Sequence, residues 1–441
     1  MSKYFNNLRV YNAEQFKQSI VDGNAQLYLS FGKSDSWVDD NQPPAVTANV
    51  KSEYDIWYNM IGAKKIVTSD LRHVIPRINW SANTVYNQYD DLNEVQSGIY
   101  ILTDDYNVYK CIDNKSNTKS TVKPTSINTS SVVTTSDGYT WKYMYTVNDE
   151  EVLRFLTTDY IPVKSLLLDD NSLQWQVQKS AKSGPIYSIK VTNPGQNYTN
   201  ASNVLVSIFG DGSGAIASAT INTQSNTIQS ISMNVYGTNY TTATVRISGG
   251  GGSNATARAI ITPIDGHGSN PVYELGASNI LIDKRIIGSE QNKYPATAQY
   301  RQVALLKDPY KFGTKTISSN NVVSQTYKMS LYNYSVGVGA ATDYNVNEIV
   351  YQGNTYSTST FSARVVDWDS ANNILVVSQF KGTANLIQSL TGLESSTTKA
   401  VGAVDQPELQ PYSGQMLYVD NFTPITKDPE QIDDLKLVIK F

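Results

Sequence analysis

The stretch NPGQNYT at residues 193–199 returns as VYGTNYT at 235–241, and this duplication limits what the chain can fold into more than any other feature of it. Gly195 recurs as Gly237, 42 positions on, and the flanking residues keep step: Ile186, Ile189 and Val191 are matched by Ile228, Ile231 and Met233. Each glycine turn leads to a tyrosine, Tyr198 or Tyr240, and then to a short apolar run, Val204–Ile208 in one copy and Val245–Ile247 in the other. A glycine-rich bend follows, and each copy closes on alternating alanines, Ala215, Ala217 and Ala219 against Ala255, Ala257 and Ala259. Alternation at period two reads as strand, and glycine gives a tight turn φ > 0 without a Cβ clash. The expectation is a duplicated three-strand unit forming a small β-domain over residues 183–265. Repeated turns of this kind are scaffold features, with a binding role at the tip as the alternative.

Strand signals dominate the remainder. WKYMYTV alternates Trp141, Tyr143, Tyr145 and Val147 on one side, and the terminal LKLVIKF alternates Leu435, Leu437, Ile439 and Phe441 against Lys436 and Lys440. Helical signals are few. YNAEQFKQSIVDG offers Asn12 as an N-cap, Phe16 and Ile20 at i, i+4, and Gly23 as a stop. SEYDIWYNMIG repeats the scheme from Ser52 and Asp55, with Ile56, Trp57, Met60 and Ile61 on one face and Gly62 ending it. NDEEVLRFL suggests a short helix capped by Asn148 with Glu151 at its third position. The Ser/Thr/Asn tract at 114–131 reads as surface loop. Short β-rich runs separated by Gly, Asn, Asp and Pro predict a mainly β protein of antiparallel sandwich domains with a few short helices and small inserted β-domains.

Composition narrows the function. At 441 residues and 48.7 kDa the chain exceeds a usual single core, so roughly two to four domains are expected. Charged residues supply 17%, against about 25% in an average soluble protein, and neutral Asn, Ser, Thr and Gln take their place. Thirty tyrosines against ten phenylalanines and six tryptophans tilt the aromatic content toward a residue suited to strands and interfaces. A net charge of −4 carries no basic footprint, which argues against nucleic acid as a direct ligand. A single cysteine, Cys111, excludes an internal disulfide, and with only His73 and His267 beside it a four-ligand Cys/His zinc site cannot be assembled. The N-terminus lacks the apolar core of a signal peptide, and no run approaches ~18 apolar residues, so the expectation is a protein kept in a cytoplasm without a membrane span.

No motif supplies chemistry. GDGSG (210–214) and GGGGSNA (249–255) lack the Lys-Ser/Thr and the ensuing helix of a phosphate-binding loop, and read as hairpin turns. DGHGSNP (265–271) places His267 in a tight loop with no nucleophile motif beside it, which favours a structural role. The neighbouring acids Asp90–Asp91, Asp104–Asp105 and Asp433–Asp434 would point to opposite faces of a strand, so they are not ready-made acid/base pairs. LTDDYN lacks the spaced acids of an EF-hand loop. No catalytic, cofactor-binding or metal-ligating residue is assigned.

A series of stretches in fixed order carries a resemblance. LYLSFGKSDSW (27–37) runs through Phe31 and Gly32 to Trp37; DIWYNMIGAKKIVTSDLRHVIPRINW (55–80) contains Trp57, Gly62, Pro76, Arg77 and Trp80. VYKCIDN (108–114), DGYTWKYMYTV (137–147) with Gly138 and Trp141, and YSGQMLYVDNFTPI (412–425) with Gly414 complete it. The series resembles the baseplate wedge subunits (gene product eight) of T-even-type contractile-tailed phages over about 25–165, less clearly 270–312, and 408–441. The resemblance implies a non-enzymatic virion protein of the tail baseplate, assembled in the host cytoplasm, that joins other wedge proteins and transmits the rearrangement triggering sheath contraction. It also implies a homodimer. Residues 183–265 and 325–405 depart from the family pattern and read as insertions, giving family core at 1–182, 266–324 and 406–441. Trp37, Trp57, Trp80 and Trp141 are expected to be buried, Pro76 to hold Ile75 extended, and Arg77 to be solvated or to meet a partner carboxylate. The alternative reading is a carbohydrate-binding tail module that uses exposed tyrosines for host recognition; a glycan-degrading enzyme would need two carboxylates converging in a groove.

Overall fold

Strand prevails, as the period-two sequence dictates, and the strand pairs described below are antiparallel. The computed structural model describes residues 3–47, 49–92, 98–287, 290–295, 298–333, 343–424 and 431–441. The end of the 412–425 stretch and part of the 325–405 segment thus lie outside the described residues. The chain forms two units, one of residues 1–15, 72–281 and 438–441, the other of residues 16–71 and 282–437.

Among the described residues, five α-helices interrupt the strands. Helix α1, Lys3–Val21, begins well before the expected cap, and Asn12 lies exposed along it. Its buried positions are Val10 and Ala13, so the inward face was set by residues upstream of the Phe16/Ile20 pair. Gly23, at φ 71°, follows its end. Helix α2, Val50–Asn59, is capped by Asn49, whose side chain accepts the Ser52 N–H at 2.9 Å; Ser52 is therefore not the cap. Met60, Ile61 and Gly62 leave the helix for a strand, Met60–Lys65, buried over its first five residues. An apolar run that satisfies helical spacing also satisfies a central strand, and the sheet has claimed it. Helix α3, Asp149–Arg154, starts as expected, with Asn148 accepting the Glu151 N–H at 2.9 Å. Helix α4, Leu173–Ser180, was not foreseen; Ser172 caps it, and only Gln174 and Val177 are buried, too few to write a periodic pattern. The one-turn α5, Pro271–Glu274, has Asn270 as its cap.

The first unit contains a four-stranded sheet in the order Tyr100–Leu102, Asn107–Asp113, Thr140–Thr146, Val133–Thr134. Tyr109 faces Tyr143 and Cys111 faces Trp141 in its central pair. The alternation in WKYMYTV does not mark a wet face: Lys142 and Met144 are as buried as Trp141 and Tyr143. Trp141 and Tyr143 pack with Tyr86, Tyr139 and Val177, while Met144, Tyr145 and Val147 join Val10, Ile161 and Val272.

The duplicated segment forms a six-stranded sheet. Copy one supplies Ile186–Gln196, Val204–Gly210 and Ser213–Asn222; copy two supplies Thr227–Thr238, Ala243–Gly249 and Ser253–Ile261. The copies interleave: each first strand lies between the first and the third strand of the other copy. Equivalent residues meet at two points, Ile189 opposite Ile231 and Ser207 opposite Arg246, which places a pseudo-two-fold axis through the sheet. The edge strands Ala243–Gly249 and Ser253–Ile261 lie side by side, curling the sheet into a barrel. Its interior is Ile186, Ile189, Ile221, Ile228, Ile231 and the two repeat tyrosines.

The second unit has a five-stranded sheet, Val322–Ser324, Met60–Lys65, Leu27–Gly32, Gln302–Lys307, Gln415–Asn421, and a closed six-stranded barrel between residues 327 and 405. Met329, Val350, Phe361, Val365 and Leu375 fill the barrel. The C-terminal strand, Ile432–Lys440, is a sheet edge beside Asn279–Ile287. Leu435, Leu437, Ile439 and Phe441 alternate as expected but are half-buried, because an edge strand has a neighbour on one side only.

Candidate functional site

The first unit holds both a buried charge cluster and a polar cleft, and they share a wall. The cluster begins with DGHGSNP. Gly266 and Gly268 have φ of 84° and 93°, and a Cβ on Gly268 would come within 2.5 Å of Val177. The loop therefore winds tightly around the Glu274 carboxylate, whose Oε1 accepts the N–H groups of Gly268 at 2.8 Å and Asn270 at 3.2 Å. Lys110, from the strand Asn107–Asp113, donates to Oε2 at 2.9 Å. Its ammonium also lies 4.5 Å from the centre of the Tyr89 ring, a cation–π contact that offsets part of the desolvation. His267 meets the same ring edge-on at 4.6 Å, with Nδ1 3.8 Å from Glu274 Oε2, beyond hydrogen-bond length.

The electrostatics follow from this packing. Burial, reinforced by the Lys110 charge, pushes the His267 imidazole down to about 4, so it is neutral at pH 7. Burial alone would raise the Glu274 carboxyl, but Lys110 outweighs it and holds it at about 2. Lys142, which donates to the Thr129 carbonyl at 2.8 Å, is pushed by burial down to about 8. Burial pushes the Cys111 thiol up, which suppresses the reactive thiolate. A carboxylate whose oxygens are filled by internal donors, beside a weakly basic imidazole, makes a clamp that fixes the loop to the sheet. Among the described residues no group of three His, Cys, Asp or Glu converges as for a metal ion.

The cleft, about 300 Å³, lies between the tyrosine-rich sheet and the duplicated barrel. Tyr187 forms the shared wall: its ring is 5.9 Å from His267 and 4.8 Å from Tyr236, which it meets edge-to-face. Gln88, Asp113 and Asn114 line one side and Ser230 and Ser232 the other.

The repeat turns serve the barrel interior. Gly195 and Gly237 have φ of 66° and 65°, and a Cβ on either would strike the facing strand of the other copy, Ala255 N at 2.6 Å or Ala215 N at 2.7 Å. Tyr198 and Tyr240 are buried, each ring against a second glycine, Gly252 or Gly212. GDGSG and GGGGSNA are the connections into the third strands, and no helix follows either.

The resemblance residues are spread over the fold. Phe31 packs edge-on to Tyr294 at 4.9 Å, and a Cβ on Gly32 would sit 2.2 Å from the Asn59 carbonyl oxygen, so only glycine fits. Gly62 lies under the Phe31 ring, and Gly138 and Gly414 adopt φ of 88° and 73°. Trp57 and Trp141 are buried, but Trp37 and Trp80 are only half-buried. Each of the latter donates a hydrogen bond, Trp37 Nε1 to the Phe422 carbonyl at 3.4 Å and Trp80 Nε1 to Ser120 Oγ at 3.2 Å. Pro76 ends the strand Leu71–Pro76, and the half-buried Arg77 donates to Asn79 Oδ1 at 2.9 Å and the Thr157 carbonyl at 2.8 Å.

Two of the three adjacent acid pairs behave otherwise than a strand would have them, and the third, on the strand Ile432–Lys440, behaves as expected. Asp90 and Asp91 sit in a turn and converge on Arg258, with Asp90 Oδ1 2.6 Å from Nη2. Asp104 and Asp105 share Lys123 at 2.6 and 3.2 Å. Asp433 and Asp434 diverge, to Tyr300 Oη at 2.7 Å and Arg285 Nε at 2.7 Å. Lys110, Glu274, Arg258, Tyr187 and Tyr236 escaped the sequence reading. A signal existed for the first: a lysine within the otherwise apolar NVYKCID is what a buried ion pair looks like in one dimension.

Comparison with known proteins bears on this arrangement. Residues 3–123 match a family model, Phage-Gp8, described as Bacteriophage T4, Gp8. A curated relative, "Baseplate wedge protein gp8" of Enterobacteria phage T4, is 24% identical over 174 residues, covering 31% of this chain and 52% of that protein. The chain thus aligns with about half the length of that relative, and both findings support the kinship suggested by the sequence.

Proposed function

From the match of residues 3–123 to the T4 gp8 family, we propose that this chain is a structural subunit of a phage tail baseplate wedge. That match carries the reading. In this role the chain links neighbouring wedge proteins and passes on the rearrangement that triggers sheath contraction. It is not an enzyme, and it works in the virion after assembly in the host cytoplasm. The engagement of Glu274, Asp90, Asp91 and Arg77 in internal bonds supports a scaffold, because groups tied to one another are withheld from substrates. The segments 183–265 and 325–405 are insertions into the family core. Disrupting the gene in the phage that encodes it should leave particles without complete baseplates by electron microscopy, whereas normal contractile tails would end the reading.

The subunit acts as a homodimer. Low net charge weakens repulsion between copies, and abundant tyrosine supplies rigid contact surface. Closed two-fold pairing is the commonest arrangement of soluble chains, and a stable pair buries ~1,200–2,000 Å². Light scattering behind a sizing column at micromolar concentration should give twice the 48.7 kDa chain mass; a single species at the chain mass refutes the dimer.

A further inference from the structure

We propose that the cleft between the tyrosine-rich sheet and the duplicated barrel binds a neutral saccharide. The duplication provides an internal control. Positions that serve the barrel keep their character between copies, as Ile189 and Ile231 or Tyr198 and Tyr240 do. At the 42-residue spacing, Tyr187 corresponds to Gln229 and Tyr236 to Pro194, so the unit does not need an aromatic at either place. The two rings nevertheless stand together, 4.8 Å apart at 62°, and both line the cleft. Among the described residues neither phenolic hydroxyl is engaged in a hydrogen bond. An aromatic pair that the scaffold does not require, with its polar tips unspent, offers apolar ring surface beside donors and acceptors.

The remaining lining selects the ligand class. Gln88 accepts the Asn114 N–H and donates to Ser188 Oγ but keeps a second N–H and a second lone pair, and Ser230 adds a hydroxyl, while the charged groups balance, Asp90 and Asp113 against Lys115 and Lys190. A balanced lining gives no net attraction for a polyanion or a polycation, and its mixture of donors and acceptors suits a ligand that carries both in quantity. A volume of about 300 Å³ lies at the lower end of small-ligand pockets, which span roughly 300–1,000 Å³, and accommodates a short stretch of a sugar chain. This inference does not depend on the wedge reading, since it rests on side chains of the first unit alone.

The test uses the full chain on a microarray of neutral and acidic bacterial surface glycans, followed by calorimetric titration of the strongest neutral oligosaccharide. Binding of a neutral glycan is expected, weakened by about tenfold or more in Tyr187→Gln, the residue the other copy tolerates, and in Tyr236→Ala. Gln88→Ala, on the opposite wall, should weaken it as well, with melting temperatures held to show that each variant folds. Binding confined to acidic glycans, no binding to any neutral glycan, or a neutral glycan whose affinity is unmoved by all three variants overturns the proposal. Occupation of the cleft by a peptide instead, seen as protection of the tyrosines by peptide alone, overturns it too.

Discussion

Lys110 shows what a charge costs when it is moved from water into a sheet. Its side chain is 1% exposed, and only Glu274 and the Tyr89 ring make that tolerable. Lys110→Met should therefore destabilise the first unit by about 3–5 kcal/mol, since it strands the Glu274 carboxylate, and adding Glu274→Gln should recover part of the loss. Thermal or denaturant melting of the three proteins checks this; a single variant that melts like the parent would mean the clamp holds nothing. His267 sets the pH response of the same cluster. Its folded value of about 4 lies below the ordinary 6.5, so the folded protein resists a proton that the unfolded chain accepts. Stability is then full above pH 6.5 and falls as pH drops toward 4. Glu274, held at about 2 against an ordinary 4.5, adds a further loss below pH 4.5. His267→Phe should flatten the upper part of that decline in melting temperatures recorded between pH 7 and 4, and an unchanged slope would place the proton elsewhere.

At the level of elements, the repeat glycines make a paired prediction. Gly195→Ala and Gly237→Ala each combine a strained φ with a Cβ about 2.6–2.7 Å from the facing strand's nitrogen. Each should cost on the order of 1–3 kcal/mol, and by nearly equal amounts because the surroundings are symmetric. Melting data showing one harmless and the other severe would refute the equivalence. The C-terminal strand makes another. Its four apolar side chains are half-buried, so removing residues 435–441 should cost roughly 3–5 kcal/mol, below the sum for full burial at ~1.5–3 kcal/mol each. A truncated chain with unaltered stability would show the strand to be dispensable. Both features were legible in the sequence because they are local: turn glycines, alternation and the Asn148 cap depend on residues a few positions apart. The reassignment of Met60 and Ile61 to a strand depends instead on the neighbour Leu27–Gly32. The clamp was illegible for the same reason, since Lys110 and Glu274 stand 164 positions apart. The Asp90–Asp91 convergence needed Arg258 from the barrel, another distant partner.

For the molecule as a whole, the duplicated segment is the part most separable from its surroundings. Its ends meet: the Gly184 N–H donates to Thr262 Oγ1 at 2.9 Å, and Ile186 lies opposite Ile261. A chain that leaves and re-enters at one point tolerates excision. Replacing 183–265 with a short Gly/Ser linker should leave a soluble, cooperatively unfolding protein, somewhat weakened by loss of the Arg258 bonds to Asp90 and Asp91. Aggregation of that deletion would show the barrel to be part of the core.

The interleaving of the two copies has a consequence for how the chain is made. A ribosome releases copy one first, yet its opening strand, Ile186–Gln196, finds both of its neighbours in copy two. One edge waits for Thr227–Thr238, and the other stays unpaired until Ser253–Ile261 has emerged. The nascent segment therefore passes through a stage with open strand edges, the state in which two growing chains on one message can trade halves. Because the copies are interchangeable in outline, such a trade would close two complete barrels shared between two molecules. Slow synthesis through residues 222–261 would lengthen that stage, and fast synthesis would shorten it.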